Sequence, residues 1–167
     1  QSLTLSRLDA GAVYAKDDFL DMGELLKNII SDCDYEAIDQ DKKVKFSSSQ
    51  SWTINANGEL LHRALENIIR NAIRYTEKGT SVDVSLDSHN STYFKVSITD
   101  QGSGIPEDKI EGLFEPFVRL SDARDRDSGG YGLGLAIAKR AIEFHNGQIS
   151  AKNNAEGGMF TAEYGQF

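Results

Sequence analysis

Two asparagines and an arginine, Asn67, Asn71 and Arg74, are spaced by four and then three residues in the segment Glu66-Asn67-Ile68-Ile69-Arg70-Asn71-Ala72-Ile73-Arg74-Tyr75. On a regular helix these offsets nearly complete whole turns, so the three side chains fall within about 60° of one another. They form a polar stripe beside the apolar one, at the rim of a core, where an unpaired amide or guanidinium is costly. A ligand would satisfy them, and neutral amide oxygens suit Mg²⁺, a hard cation that binds through substrate phosphates and keeps several waters. The plain alternative is a solvated helix flank.

Asp100 is singled out by parity. Phe94, Val96, Ile98 and Asp100 occupy alternate positions of one strand, so if the first three enter the core the carboxylate does too. A buried carboxylate needs a partner. Gly102 and Gly104 follow at once in Asp100-Gln101-Gly102-Ser103-Gly104-Ile105, removing side chains where another group must approach closely. The amino group of a ring such as adenine could donate to Asp100 over that floor. An Asp-Gly turn ending a strand would give the same spelling.

A second glycine set, Gly130-Tyr131-Gly132-Leu133-Gly134-Leu135, precedes a helical pattern. Free N–H groups and the positive end of the helix dipole suit such a terminus to phosphate, although glycines at a packed hinge would look alike. No Gly-Lys-Ser/Thr follows, which excludes a P-loop, and no strand-turn-helix unit opens there, which excludes a dinucleotide fingerprint. Between the two sets, Phe114-Glu115-Pro116-Phe117-Val118-Arg119 offers aromatics that can anchor a lid and an arginine that can reach phosphates, although core aromatics beside a solvated Arg119 would read alike. Arg124 and Arg126 alternate with Asp122, Asp125 and Asp127 and read as a solvated lid surface.

The elements that must position these groups are legible from periodicity. Residues 21–40 give an amphipathic helix with Asp21 as N-cap, and Asn57 starts a second through Leu61, Ala64, Leu65, Ile68, Ile69 and Ala72 to Tyr75. A third helix is expected over about 132–145. Strands are expected at Val44–Ser47, Trp52–Asn55, Val82–Leu86, Phe94–Ile98, Gln148–Lys152 and Met159–Tyr164, the third and fourth joined by a polar hairpin loop around residues 88–91. The polar stretch 115–130 is longer than most loops of compact domains and reads as a functional lid. Leu3 to Gly11 reads as the tail of a helix. Helices mixed with antiparallel hairpins predict an α/β two-layer sandwich, its mixed, mostly antiparallel sheet covered by helices on one face.

A chain of 167 residues with 39% hydrophobic composition suits one domain. Its net charge of -8 argues against a nucleic-acid or anionic-membrane surface. The one cysteine, Cys33, excludes an internal disulfide and reads as an inert, mildly cytosolic thiol. No run of about 18 apolar residues and no signal peptide is present, and a start at Gln1 without methionine suggests a piece of something longer.

In this order and spacing, the three motifs resemble the ATP-binding domain of sensor histidine kinases, in the GHKL superfamily that also includes gyrase-type ATPases. The resemblance covers about residues 20–165. It implies the Bergerat form of the sandwich, with ATP and Mg²⁺ as cofactors. It implies that Asn71, supported by Asn67, holds Mg²⁺, that Arg74 and Arg119 meet phosphate, and that Tyr75 packs by the purine. Asp100 would take the adenine amino group over Gly102, Gly104 and Ile105, and Gly130, Tyr131, Gly132, Leu133, Gly134 and Leu135 would form the lid hinge. Asn67, Asn71 and Arg119 are its candidate catalytic residues. The segment Ala123–Gly130 resembles the lid of envelope-sensing kinases of the Cpx and Rst type. Gly157-Gly158-Met159-Phe160 departs from the family, which often has a threonine after a glycine there, so one adenine-side contact is not expected. Gln101 is an ordinary variable position.

Hydrolytic relatives resemble one another in placing a glutamate four residues before the key asparagine as general base. Here that position is Asn67, and neighbouring Glu66 is turned away by about 100°. The resemblance therefore implies phosphoryl transfer to a histidine on a separate dimerisation domain. The acceptor motif is absent; His62, His89 and His145 each read as structural. Residues 1–15 are expected to be the tail of the dimerisation helix with its linker, and 16–167 the ATP-binding domain. Further implied are ADP as product, a response regulator for the full-length protein, a membrane-anchored homodimer with this domain on the cytoplasmic side of the inner membrane, and no nucleic acid. An ATP-hydrolysing member and a nucleotide-sensing scaffold without transfer are the alternatives.

Overall fold

The computed structural model describes residues 18–88, 93–116 and 134–165. A short strand β1 (Asp18–Asp21) leads into helix α1 (Met22–Asp39), followed by β2 (Lys43–Ser48) and β3 (Thr53–Ala56). Helix α2 (Gly58–Tyr75) precedes the antiparallel pair β4 (Ser81–Ser88) and β5 (Tyr93–Thr99). A single turn α3 (Glu107–Ile110), helix α4 (Gly134–Phe144) and strands β6 (Gln148–Asn153) and β7 (Gly158–Gly165) complete the described chain.

The main sheet runs β2-β4-β5-β7-β6, parallel only between β2 and β4; β1 and β3 form a separate antiparallel pair. Alternation decides which face is covered. Val82, Val84 and Leu86 of β4 and Phe94, Val96 and Ile98 of β5 are buried, while Asp83, Ser85, Ser97 and Asp87 between them are not. The buried face meets the apolar stripes of α1, α2 and α4 in one core, with α2 flanked by the other two. This is the expected two-layer sandwich.

Helix α2 is the best anchored of these elements. Leu60, Leu61, Leu65, Ile68, Ile69 and Ile73 are at most 2% exposed, each contributing about 1.5–3 kcal/mol by leaving water. Asn57 caps its start, Oδ1 accepting from Leu60 N at 3.0 Å, and His145 clamps the same corner: its Nε2 accepts from Asn57 N at 2.9 Å. Nδ1 of His145 then carries the proton and donates to Ala141 O at 2.7 Å, so this histidine is structural, as expected. At the other end the orphan carbonyls are closed by Thr76 N on Ala72 O at 2.9 Å and by the buried Lys42 ammonium, 2.7 Å from Ile73 O and 3.4 Å from Arg74 O.

Burial pushes Lys42 below the ordinary lysine value of 10.5. A cation whose folded pKa is depressed is bound less tightly to its proton in the folded state, so between that pKa and 10.5 the unfolded chain holds more protons and stability rises with pH. Lys42→Met should therefore cost about 1–3 kcal/mol by leaving the α2 carbonyls unpaired. The gap to the wild type in denaturant midpoint should widen as pH approaches 10.5.

Two described elements were not expected. β1 is only four residues and exists through its distant partner β3, and α3 is a single turn with no buried residue. The N-cap of α1 is Asp21 as read, its carboxyl held below the ordinary 3.8 first by the Ser51 hydroxyl and then by the Glu24 amide. Cys33 is buried, and burial pushes its thiol up to about 11, so it stays protonated and unreactive at neutral pH. Among the described residues no helix is long and apolar enough to cross a membrane.

Candidate nucleotide site

The two flanks of α2 face different neighbours, because residues one position apart on a helix diverge by about 100°. Glu66 and Arg70 turn toward α1: Arg70 Nη1 lies 2.9 Å from Glu66 Oε1 and its Nε 3.1 Å from Glu36 Oε1. Asn67 turns the opposite way, Nδ2 donating to Gly134 O at 3.3 Å in the first turn of α4. A Cβ on Gly134 would lie 3.7 Å from Asn67 Cγ, so this turn rests directly on the amide. Asn71 follows one turn on, half-buried, its side-chain amide without a hydrogen bond among the described residues. Arg74 and Tyr75, also half-buried, end the helix.

Parity places Asp100 as predicted. Phe94, Val96 and Ile98 are at most 1% exposed and Asp100 is 5% exposed. Its partners are backbone amides: Oδ1 accepts from Gly102 N at 2.9 Å and from Gly158 N at 3.2 Å. No described group donates to Oδ2. A carboxylate fixed through one oxygen and open at the other can read an amino group.

The glycines make this geometry possible by close approach. A Cβ on Gly102 would stand 2.2 Å from Tyr75 O, so the Asp-Gly loop lies against the last carbonyl of α2. Gly104 has φ +87, a left-handed conformation that favours glycine, and its Cβ would meet Asn153 Oδ1 at 2.8 Å. Gly157 and Gly158, read from sequence only as a family departure, form the other wall: a Cβ on Gly157 would be 2.7 Å from both O and Oδ1 of Asp100.

Asn153, which sequence reasoning did not single out, holds the loop beside Asp100. Its Oδ1 accepts from Ile105 N at 2.6 Å while its Nδ2 donates to Ile105 O at 2.7 Å, clamping the loop that carries Gly104. Ile105 itself is 5% exposed and packs into the core. Gln101 has more to do than a variable position suggests: its N donates to Thr76 Oγ1 at 2.9 Å and its Oε1 accepts from Ser81 N at 3.1 Å. The loop is thereby tied to the exit of α2.

The contacts thus join Tyr75, Asp100, Gly102, Gly104 and Ile105 in one cluster, while Asn67 joins α2 to Gly134. Leu135 and Phe114 are half-buried against the core. Arg119, Gly130, Tyr131, Gly132 and Leu133 lie outside the described residues, as do Phe117 and the stretch 120–129 of the expected lid.

Residues 56–163 match the family described as histidine kinase-, DNA gyrase B-, and HSP90-like ATPase. The sensor histidine kinase CpxA of Escherichia coli K12 is 37% identical over 137 residues, 81% of this chain and 29% of that protein. Among solved structures, the mycobacterial sensor histidine kinase MprB superposes with a TM-score of 0.78 at 26% identity, covering 90% of this chain and 98% of that one. Full-length ShkA in complex with AMPPNP gives 0.83 at 26% identity, covering 98% of this chain and 34% of that one. The chain spans about 29% of the length of the curated relative it matches. The chain belongs to the histidine kinase-, DNA gyrase B- and HSP90-like ATPase family, as an ATP-binding catalytic domain of the sensor histidine kinase type.

Proposed function

We propose that this domain holds Mg·ATP and donates the γ-phosphoryl group to a histidine on a separate dimerisation domain. The observation that carries the proposal is Asp100, buried, anchored through Oδ1 and open at Oδ2. Asp100 takes the adenine amino group, with Gly102, Gly104 and Ile105 forming the floor and Tyr75 beside the purine. Arg74 and Arg119 meet phosphate, and Gly130, Tyr131, Gly132, Leu133, Gly134 and Leu135 carry the lid hinge and the helix start that receives the phosphates. Asn71, with Asn67 one turn earlier, has the neutral oxygen donors that a hard cation accepts, and its amide has no hydrogen bond among the described residues. When bound there, Mg²⁺ neutralises charge on the β- and γ-phosphates.

Transfer requires in-line attack of an imidazole nitrogen on the γ-phosphorus as the bond to the β,γ-bridging oxygen breaks and ADP leaves. Hydrolysis would need a base on a water. Asn67 cannot supply one, and Glu66 is engaged by Arg70 on the flank facing α1. Residues 1–15 are read as the tail of the dimerisation helix and linker and 16–167 as the catalytic domain. The full-length protein is read as a membrane-anchored homodimer with this domain on the cytoplasmic side, serving a response regulator.

The test is titration with ATP, ADP and Mg²⁺ by calorimetry, followed by transfer to a supplied histidine-bearing domain. Asn71→Ala should lower Mg²⁺-dependent ATP affinity and labelling of that histidine by at least about 100-fold, or about 2.7 kcal/mol. Absence of ATP binding, or equal behaviour of the variant, refutes the assignment; steady phosphate release by the chain alone would favour hydrolysis.

A further inference from the structure

The flank of α2 that faces α1 carries a cluster the nucleotide site does not use. His62 and Glu66 stand one turn apart on α2, Asp32 reaches them from α1, and one ligand-type atom from each lies within 4.8 Å of the others. Nε2 of His62 is 3.4 Å from Asp32 Oδ2, and Nδ1 is 3.8 Å from Glu66 Oε2. Both separations exceed the roughly 2.7–3.2 Å of an N–H···O hydrogen bond.

The spacing suits a metal. Two ligand atoms on a tetrahedral ion with bonds of about 2.0–2.2 Å stand about 3.3–3.6 Å apart, which matches the pair His62 Nε2 and Asp32 Oδ2; Glu66 Oε2 is nearest the ring's other nitrogen, Nδ1, and the three-residue set rests on the wider limit of 4.8 Å. Arg70 holds Glu66 through Oε1 at 2.9 Å, leaving Oε2 on the histidine side. The charges also favour a cation: Glu36 and Glu66 share the Arg70 guanidinium, and Asp32 adds a third carboxylate beside His62. Asp32 is 59% exposed, so an ion has access and water can complete its shell. Imidazole nitrogen selects a zinc-type ion over Mg²⁺ or Ca²⁺, which prefer oxygen. We infer that Asp32, His62 and Glu66 form a zinc-type divalent-metal site bridging α1 and α2, separate from the nucleotide site.

Zinc chloride, added alone to the chain without nucleotide, is the probe, read by calorimetry and thermal unfolding. One equivalent should bind and raise the unfolding temperature. His62→Gln, Asp32→Asn and Glu66→Gln should each weaken binding at least about 10-fold, the loss that follows removal of even an outer partner of a metal ligand. Cys33→Ala should bind as the wild type does, because its thiol is buried and protonated at neutral pH. Absence of a zinc equivalent, or unchanged affinity in His62→Gln, overturns the site. If His62→Gln does not fold, Asp32→Asn at its exposed position decides on the same criterion.

Discussion

Asp100→Asn is expected to lower ATP affinity about 100-fold, or about 2.7 kcal/mol, while leaving the fold intact. The two effects separate because the carboxylate has two jobs on two oxygens. Oδ1 takes the amides of Gly102 and Gly158, and the asparagine oxygen can inherit both bonds. The asparagine NH₂ then occupies the Oδ2 position, where the adenine amino group would arrive, and two donors face each other. A charge-assisted hydrogen bond is lost and a buried donor is left unpaired, each worth about 1–3 kcal/mol. Asp100→Ala is the poorer experiment, since it strands both glycine amides and weakens the fold as well. The swap carries a second consequence: an NH₂ at that position can donate to a ring oxygen, so the ratio of GTP to ATP affinity should rise. Calorimetry with both nucleotides, beside unfolding temperatures, checks the result. Unchanged ATP affinity would remove Asp100 from the site.

Helix α2 has the geometry to serve a core and, in the proposed function, a ligand. Its apolar stripe is broad enough to meet the sheet and both neighbouring helices, which leaves two narrow polar flanks. One is filled by the Glu66–Arg70 pair, which reaches α1 through Glu36; the other carries Asn67, bonded to the first turn of α4, with Asn71 one turn on. Both helix ends are tied by distant residues, His145 at the start and Lys42 at the finish, so the asparagines project from a fixed rod. Such rigidity matters for phosphoryl transfer, where catalysis consists mostly of positioning and charge stabilisation.

What could be read from sequence follows from the range of the interactions involved. Helix α2 and strands β4 and β5 are written in local periodicity, and Asp100 was legible because strand parity ties it to Phe94, Val96 and Ile98 within seven residues. The opposed directions of Glu66 and Asn67 needed only the helical angle. By contrast, Asn153 meets Ile105 across 48 residues, Gly158 meets Asp100 across 58, and Lys42 meets Ile73 across 31. No local pattern marks such pairs, although the double glycine at 157–158 was a signal that space is scarce. Strand β1 was missed for the same reason, since its four residues are specified by pairing with β3.

Gly102→Ala should have the largest combined effect, because the methyl would enter a space already occupied by backbone. Its Cβ would lie 2.2 Å from Tyr75 O and 3.0 Å from Tyr75 C, with Asp100 Oδ1 at 3.2 Å. Neither side can yield easily. Lys42 holds the last turn of α2 through Ile73 O, and Gln101 ties the loop to Thr76 Oγ1, while Asp100 Oδ1 fixes the Gly102 amide. Overpacking of this kind costs about 1–3 kcal/mol, or more where backbone is the obstacle. Relief requires the Asp-Gly loop to move away from Tyr75, shifting Asp100 relative to Asn71 on α2. A displacement of about 1 Å in such a site costs about 100-fold in activity. ATP affinity and histidine labelling should therefore fall together with the unfolding temperature. Gly112→Ala is the matched control, since a Cβ there meets nothing within 4 Å, and its stability change should stay within about 0.5 kcal/mol. If Gly102→Ala binds ATP and melts as the wild type does, the contact between the end of α2 and the Asp-Gly loop is not what holds the site together.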